Sequence, residues 1–308
     1  VVQGEVDTTS PLLNRPFNSL TISSANDLTT GTWHAEHITV QTTGLYDRFD
    51  NFDVGNLTVG TTFTDPAGGS PATLSLTASG DLVLTSNLAA DNSMTLHAGG
   101  EIRNLPGLIT VTGVGSLIDI ESGNDLEITG MLIAQEGDIR LSSRGLSQMR
   151  QPRSGGTVIV SGSVTLSDGL LTLEATDTDS EITGTLTSTG GIDLYGQLNV
   201  NNTIDAGPII VNAGARLAGI GRVIGDVHVR DGGEVAPGNS PGLLIIDGNQ
   251  AFEPGSTFAV EVNGTTVATE YDQLQVNGTV TIGENVTLAL TRTNAFVPGN
   301  EQEFVIIS

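Results

Sequence analysis

The stretch ATLSLTASGDLVLTSN (residues 72–87) decides the fold of this chain. Leucine recurs at every second position, at Leu74 and Leu76 and again at Leu82 and Leu84, with a Ser-Gly-Asp corner between the two runs. Alternation with a period of two is typical of a strand that buries one face. Glycine and aspartate supply the backbone conformations of tight corners, so the stretch predicts two short strands joined by a sharp turn.

The same arrangement recurs along the chain with a period of about twenty residues. Examples are SMTLHAGGEIRNLPGLITVTG (93–113), GSLIDIESGNDLEITGMLIAQEG (115–137) and LLTLEATDTDSEITGTLTSTG (170–190). Leucine-rich repeats share this period, but they need a recurring Asn or Cys ladder and a helical return, and the sequence contains neither. The pattern therefore predicts a parallel β-helix, with coils about 4.8 Å apart around a central aliphatic column.

The repeat divides the chain into three expected regions. Residues 1–70 are predicted to form an N-terminal cap with irregular first coils, because their spacing is not repetitive and open strand edges need covering. Residues 71–248 are predicted to form the β-helix itself, with an Arg-rich insertion at residues 142–156. Residues 249–308 have longer strand-like runs and are predicted to form a C-terminal β cap or small sheet.

A β-sandwich built from hairpins is the alternative fold near the C-terminus. Asn-Gly pairs favour two-residue hairpin turns, and they occur at Asn263-Gly264 and Asn277-Gly278. In the middle of the chain, the regular repeat favours the solenoid over the sandwich.

Charge limits the partners of the chain. Its 308 residues include 35 acidic and 11 basic residues, all of the latter arginine, for a formal net charge of −24. Such a charge repels nucleic acid, and no run of eighteen apolar residues is present, so we expect neither nucleic-acid binding nor membrane insertion. The chain has no cysteine and begins without Met, which suggests a removed leader or a cut chain. We therefore expect an exported protein.

Two motifs follow Gly219. The first is a Gly-Gly-x-(Ile/Val)-x-Pro-Gly-x-Ser-Pro-Gly turn, formed by Gly232, Gly233, Val235, Pro237, Gly238, Asn239, Ser240, Pro241 and Gly242. The second is a Tyr-Asp-x-Leu-x-Val-x-Gly run, formed by Tyr271, Asp272, Leu274, Val276 and Gly278. Together they resemble the C-terminal part of autotransporter passenger domains and related bacterial surface proteins with autotransporter-associated β-strand repeats. The segments GDLVLTS and GDIRLSS also resemble filamentous-haemagglutinin-type repeats.

This resemblance implies a right-handed parallel β-helix displayed outside a bacterial cell. The chain departs from the family pattern because no membrane β-barrel follows and the sequence ends within a strand, at Ile307-Ser308. Three explanations are open. A translocator was removed, the chain belongs to barrel-less relatives, or its terminal strand completes a neighbouring molecule.

These observations lead us to expect a non-enzymatic, extracellular structural protein, a subunit of a bacterial surface fibre or filament. Open solenoid ends favour head-to-tail assembly by strand addition, and a contact that does not close produces a filament. One alternative is a monomeric adhesin passenger that binds host or matrix glycans. The other is a β-helical carbohydrate-active enzyme, but the sequence has no Asp-Asp pair, no Gly-His-Gly segment and no lysine base.

One acidic corner is a weak candidate for calcium. Asp177, Asp179 and Glu181 have the Asp-x-Asp-x-Glu spacing, and calcium prefers six to eight oxygen ligands. The corner lacks the glycine and the distal bidentate glutamate of an EF-hand, so an ordinary solvated turn is favoured. No other metal or cofactor is expected.

The Arg-rich insertion is the candidate contact site. Arg140, Arg144, Arg150 and Arg153 lie in a stretch without any acidic residue. Arginine pairs bidentately with carboxylates, so this patch is predicted to bind the acidic surface of a neighbouring subunit or an anionic polysaccharide. A flexible exposed loop is an equally good interpretation of the same residues.

Overall fold

The computed structural model describes residues 19–24, 28–30, 33–35, 37–42, 45–46, 52–53, 56–60, 63–64, 67–104, 107–143, 156–292 and 296–308. The chain divides into two compact units, Val1–Gly169 and Leu170–Ser308. The described residues of both units form strands, bends and turns, and they include no helix. Accordingly, none of them belongs to a helix that is long and apolar enough to cross a membrane.

The first unit contains strands of two to seven residues separated by short corners. They are β1 (Ser19–Ser24), β2 (Leu28–Thr29), β3 (Trp33–His34), β4 (His37–Thr42), β5 (Leu45–Tyr46), β6 (Phe52–Asp53), β7 (Leu57–Val59), β8 (Phe63–Thr64), β9 (Thr73–Ala78), β10 (Leu82–Leu84), β11 (Leu88–Ala90), β12 (Ser93–Ala98), β13 (Ile102–Asn104), β14 (Leu108–Val111), β15 (Ser116–Ser122), β16 (Leu126–Ile128), β17 (Met131–Ala134), β18 (Gly137–Ser143), β19 (Val158–Val160) and β20 (Ser163–Leu166).

The second unit continues with strands of the same kind. They are β21 (Leu171–Ala175), β22 (Glu181–Ile182), β23 (Thr185–Ser188), β24 (Ile192–Val200), β25 (Thr203–Ala206), β26 (Ile209–Val211), β27 (Arg216–Gly219), β28 (Arg222–Ile224), β29 (Val227–Val229), β30 (Glu234–Pro237), β31 (Leu243–Asp247), β32 (Gln250–Phe252), β33 (Thr257–Glu261), β34 (Gln273–Val276), β35 (Val280–Ile282) and β36 (Thr287–Thr291).

Parallel pairing between successive coils makes each unit a parallel β-helix. In the first unit, one ladder runs β1–β4–β9–β12–β15–β18, a second runs β2–β7–β10–β13–β16–β19, and a third runs β11–β14–β17–β20. Strands β3 and β8 form a separate parallel pair, and β5 and β6 an antiparallel one. The predicted parallel β-helix is confirmed.

The second unit has the same three-ladder arrangement. Its ladders run β21–β24–β26–β29–β32–β35, β22–β24–β27–β30–β33–β36 and β23–β25–β28–β31–β34. Strand β24 belongs to two ladders because it bends at Gly196, where φ is 103°. A Cβ atom at Gly196 would lie 1.8 Å from the carbonyl oxygen of Ala175, so only glycine fits this corner.

Every second side chain of a strand points into the core. Leu82, Ile102, Leu126 and Val158 stack in register on four successive coils, and each is at most 1% exposed. Burying an aliphatic side chain contributes about 1.5–3 kcal/mol, so each coil adds its share of stability to the stack. The core is narrow, which explains why only 4% of the residues are aromatic.

Glycines allow the corners of neighbouring coils of the first unit to approach closely. A Cβ atom at Gly130 would lie 2.1 Å from the carbonyl oxygen of Gly107, and a Cβ atom at Gly162 would lie 2.0 Å from that of Gly130. Both carbonyls accept hydrogen bonds from the next coil, from Met131 N and Ser163 N at 3.0 and 2.9 Å. A side chain at either glycine would therefore push two coils apart.

We expect Gly130→Ala to lower the free energy of unfolding by about 1–3 kcal/mol, the usual cost of forcing extra atoms into a packed site. Gly60→Ala is the matched control in the same unit, because among the described residues its Cβ would meet only Thr85 Oγ1, at 3.7 Å. Denaturant unfolding of both variants measures the difference. Equal stabilities would show that the corners are not closely packed.

The β-sandwich alternative is wrong for the C-terminal region. Asn277-Gly278 lies between β34 and β35, yet these strands pair with β31 and β32 of the preceding coil and not with each other. Asn263-Gly264 opens the connection between β33 and β34, which also belong to different ladders. Asn277-Gly278 is therefore a corner between strands of different ladders, while Asn263-Gly264 lies in a loop whose ends, Val262 and Tyr271, form an isolated antiparallel bridge.

The expected region boundaries do not coincide with breaks in strand pairing. Strand β4 pairs with β9 across residue 70, and β29 pairs with β32 across residue 248. The inward alternation of the described strands therefore continues across both boundaries. The capping roles of residues 1–70 and 249–308 stay predictions.

Candidate assembly site

The last coil of the second unit has its inward-facing positions exposed. Strand β36 pairs with β33, so that Leu288 lies beside Phe258 and Leu290 beside Val260. Phe258 and Val260 are core residues, 4% and 1% exposed. Leu288 and Leu290 occupy the same positions one coil later and are 54% and 63% exposed. The difference arises because the described residues place no further coil against β36.

Strand β35 repeats this arrangement in the neighbouring ladder. Ile282 pairs with Phe252, which is 2% exposed, yet Ile282 itself is 61% exposed. Among the described strands, β35 and β36 each pair on one side only. Their other edges present free backbone N–H and C=O groups, which are a template for adding another strand. We call Ile282, Leu288 and Leu290, with the free edges of β35 and β36, the terminal face.

The last residues extend the third ladder beside the terminal face. Leu274 N donates to Ile306 O at 2.9 Å, and Ser308 N donates to Leu274 O at 3.0 Å, so residues 306–308 lie parallel to β34. Phe304 packs edge-on against Tyr271, with ring centroids 5.4 Å apart. An edge-on aromatic pair contributes about 0.5–1.5 kcal/mol beyond its burial, so this contact helps to hold the final segment on the coil.

Asp272 joins three chain segments beneath the terminal face. Its Oδ1 accepts a hydrogen bond from Gly242 N and its Oδ2 accepts one from Glu261 N, both at 2.7 Å. Asp272 is only 5% exposed. One side chain thus connects the turn before β31, the end of β33 and the start of β34.

Glu261 extends this connection on the same side of the coil. Its Oε2 accepts a hydrogen bond from Ser240 Oγ at 2.5 Å, and its Oε1 accepts one from Asn263 Nδ2 at 2.6 Å. Glu261 is 8% exposed. We call Asp272, Glu261 and their hydrogen-bond donors the carboxylate clasp. The clasp borders a pocket of about 190 Å³, which is also lined by Arg216 and Thr291.

Burial raises the pKa of the Asp272 carboxyl above its ordinary value of 3.8, and the nearby charge of Glu261 adds to this rise. Hydrogen bonds from the backbone of Glu261 and Gly242 and the charge of Arg216 act in the opposite direction. Arg216 is itself bound to another acid, since its Nε lies 2.9 Å from Glu234 Oε1. At Asp272, burial outweighs the hydrogen bonds and the charge of Arg216.

The carboxylate clasp explains why the two C-terminal sequence motifs occur together. Ser240 and Gly242 come from the first motif and Asp272 from the second, and the clasp bonds link them. Gly238 is confined as well, because its φ is 95° and a Cβ there would lie 2.4 Å from Asp272 Oδ1. Sequence reasoning found both motifs but missed that they are hydrogen-bonded to each other. The available signal was a Gly- and Pro-rich turn at residues 237–242, followed by Asp272 thirty positions after Gly242.

The structure places only one of the four predicted contact arginines. Arg140 lies on β18 with its Nη1 3.7 Å from Asp119 Oδ1, and Asp119 lies beside it in register on β15. Asp119 Oδ2 also lies 3.3 Å from His97 Nε2. Arg140 is therefore engaged with an acid of its own unit. Arg144, Arg150 and Arg153 lie outside the described residues, so the contact role of the group stays a prediction.

The structure does not bring the calcium candidates into one cluster. Asp177 Oδ1 accepts a hydrogen bond from Asp179 N at 3.0 Å, as in an ordinary turn, while Glu181 Oε2 accepts one from Asn201 Nδ2 at 2.9 Å. In the described part of the chain, no three His, Asp or Glu side chains are grouped so as to hold a metal ion. Calcium binding stays a prediction, which thermal unfolding with and without calcium would test.

Comparisons of the chain with protein-family models, with curated proteins and with solved structures found no match. The resemblance to autotransporter passenger domains therefore stays a prediction, carried by the two motifs alone. The terminal face is therefore the feature of the chain that bears on its function. Sequence reasoning predicted a strand here but not its exposure, because alternation specifies an inward face without specifying whether another coil covers it.

Proposed function

We propose that this chain is a non-enzymatic, extracellular structural protein of a bacterial surface, which assembles head-to-tail into a filament through the strands at its ends. The observation that carries the proposal is the terminal face, where three large aliphatic side chains are more than half exposed beside free strand edges. Apolar area removed from water contributes about 25 cal/mol per Å², and a free edge adds backbone hydrogen bonds to any strand that docks.

The partner surface proposed for the terminal face is the first coil of a second copy. Strand β1 pairs with β4 on one side, and no described strand lies on its other side. A coil of the same fold offers the strand spacing that the terminal face requires. A contact between these two different surfaces of two copies is heterologous, and such contacts generate open filaments when the rotation does not close a ring.

Charge sets the conditions under which assembly occurs. A formal net charge of −24 makes copies repel one another, and this repulsion is screened by salt. We expect the weight-average sedimentation coefficient to increase with protein concentration. It should increase further as salt rises from about 0.01 M to about 1 M, because this shortens the Debye length from about 30 Å to about 3 Å.

Sedimentation velocity of the 308-residue chain, with negative-stain microscopy of the same samples, tests the proposal. Uniform fibres that lengthen with concentration are the expected result. Monomers at every salt and protein concentration would contradict it and would favour the monomeric adhesin instead.

A further inference from the structure

The outer face of the third ladder in the second unit carries a group of aliphatic side chains. Ile224, Leu243 and Ile245 occupy outward positions on β28 and β31, and Ile220 lies just before β28. Ile220 and Ile224 are 52% and 39% exposed. The outward positions of the flanking strands β25 and β34 are polar. Exposed aliphatic side chains that lie together mark an interaction surface, whereas scattered ones are ordinary.

An ion pair crosses this aliphatic group. Arg222 of β28 lies in register with Ile245 of β31, and Ile224 lies in register with Asp247. The two isoleucines therefore occupy one diagonal of a four-residue group, and the two charged residues occupy the other. Nε and Nη2 of Arg222 both contact Asp247 Oδ2 across their diagonal. We call Arg222, Ile224, Ile245 and Asp247 the lateral quartet.

Both charged members of the lateral quartet are accessible to a partner. The side chains of Arg222 and Asp247 are 46% and 22% exposed. A guanidinium has five N–H donors, and those of Nε and Nη2 are directed to a single oxygen, so donors remain for a second carboxylate. A hydrogen bond from Asn277 Nδ2 at 2.6 Å, assisted by Arg222, lowers the pKa of Asp247 below 3.8. The quartet thus contains one positive and one negative charge at neutral pH.

The arrangement of the lateral quartet is self-complementary. A two-fold axis along the Ile224–Ile245 diagonal, parallel to the sheet, places each isoleucine against the same residue of a second copy. The same rotation exchanges the ends of the other diagonal, so Arg222 of each copy faces Asp247 of the other. Two arginines and two aspartates then form a ring without net charge, and arginine pairs bidentately with carboxylates. Asp205, in register with Ile224 on β25, lies at the rim of this contact.

We propose that the lateral quartet is a contact through which two copies of this chain pair side by side. A formal net charge of −24 makes two copies repel one another in general, so a neutral and self-complementary surface is where they can meet. The pairing uses the outer face of a ladder and no strand edge, so it does not depend on head-to-tail assembly. Few side chains take part, and pairs of free chains are therefore short-lived, whereas copies aligned in a filament are held by many such contacts at once.

Disulfide trapping tests the pairing, because the chain has no cysteine and oxidation accumulates short-lived pairs. A thiol on the two-fold axis meets the same thiol of the second copy, so Ile224→Cys and Ile245→Cys should each give covalent dimers. Thr185→Cys is the matched control, since Thr185 is an exposed outward residue of β23 in the same ladder and lies away from the axis. We expect dimers from Ile224→Cys to form about tenfold faster than from the control. Each rate is divided by the rate at which iodoacetamide alkylates the same thiol.

Charge reversal makes the test specific for the lateral quartet. In the Ile224→Cys chain, Arg222→Asp leaves two acids in the quartet, and Asp247→Arg leaves two arginines. Each of these chains alone should form dimers at the rate of the control. An equimolar mixture should form mixed dimers at least as fast as Ile224→Cys, because opposite charges then face each other at every position. Each substitution changes the net charge of −24 by only two, so both chains still repel in general.

The outcomes separate the pairing from the proposed function. Equal corrected rates for Ile224→Cys and Thr185→Cys, or a mixture that shows no preference for mixed dimers, would overturn the pairing. Fibres of the unaltered chain together with that result would keep the filament and remove the lateral contact. Trapped dimers from a chain that never forms fibres would keep the lateral contact and remove the filament.

Discussion

The double variant Leu288→Asp, Leu290→Asp is expected to remain monomeric under conditions in which the unaltered chain forms fibres, with little change in its thermal unfolding. Both leucines are more than half exposed, so aspartate there costs the isolated chain little. In an assembled filament both positions would be core positions, like those of Phe258 and Val260. Burying an unpaired carboxylate costs several kcal/mol, and every 1.4 kcal/mol weakens binding about tenfold.

The matched control for the leucine variant is Thr281→Asp, Thr287→Asp. These threonines lie on β35 and β36 and are exposed, but they alternate with the inward-facing positions and point outward. The control adds the same charge to the same coil and should assemble at somewhat higher salt than the unaltered chain. Sedimentation velocity compares the two variants. Fibres from the leucine variant, or equal loss of assembly in both, would show that the terminal face is not the contact.

Asp272→Ala is expected to lower the free energy of unfolding by about 2–6 kcal/mol, because it leaves the N–H groups of Gly242 and Glu261 without their acceptor and each buried unpaired group costs about 1–3 kcal/mol. The lower half of this range is expected at neutral pH. Burial raises the pKa of Asp272, so its charged form carries a cost that alanine removes.

Denaturant unfolding together with hydrogen exchange of residues 257–276 measures the Asp272→Ala effect. Glu253→Ala is the control, since the Glu253 side chain is exposed and its truncation should leave stability almost unchanged. Were Asp272→Ala as stable as this control, the clasp would not contribute to the stability of the last coils.

The coils were predictable from the sequence because their physical cause is local. Each strand alternates around one buried face, as at Leu82 and Leu84, and a glycine or aspartate corner ends it before a hairpin can form. The pair Asn277-Gly278 was misinterpreted for the same local reason. Asn277-Gly278 looks like a hairpin turn by itself, and only the pairing of β34 with β31 shows that the chain continues around the coil.

The candidate site was less predictable because its cause is not local. Leu288 and Leu290 read in the sequence as ordinary core positions, and their exposure depends on what lies beyond β36. The clasp depends on contacts between residues thirty positions apart, such as Gly242 and Asp272. The ion pair of Arg140 is another contact of this kind, because only the pairing of β18 with β15 of the preceding coil places Asp119 beside it.

Site-specific disulfide cross-linking tests head-to-tail assembly, because the chain has no cysteine of its own. Thr21→Cys places a thiol on β1, and either Thr281→Cys or Thr287→Cys places a second thiol on an edge of the terminal face. A disulfide forms only when the Cα atoms approach to about 4.4–6.8 Å, the distance between neighbouring strands. Head-to-tail assembly predicts a ladder of covalent multimers from one of the two double variants and at most dimers from each single variant. Absence of multimers from both double variants, in samples that associate, would show that β1 does not dock on the terminal face.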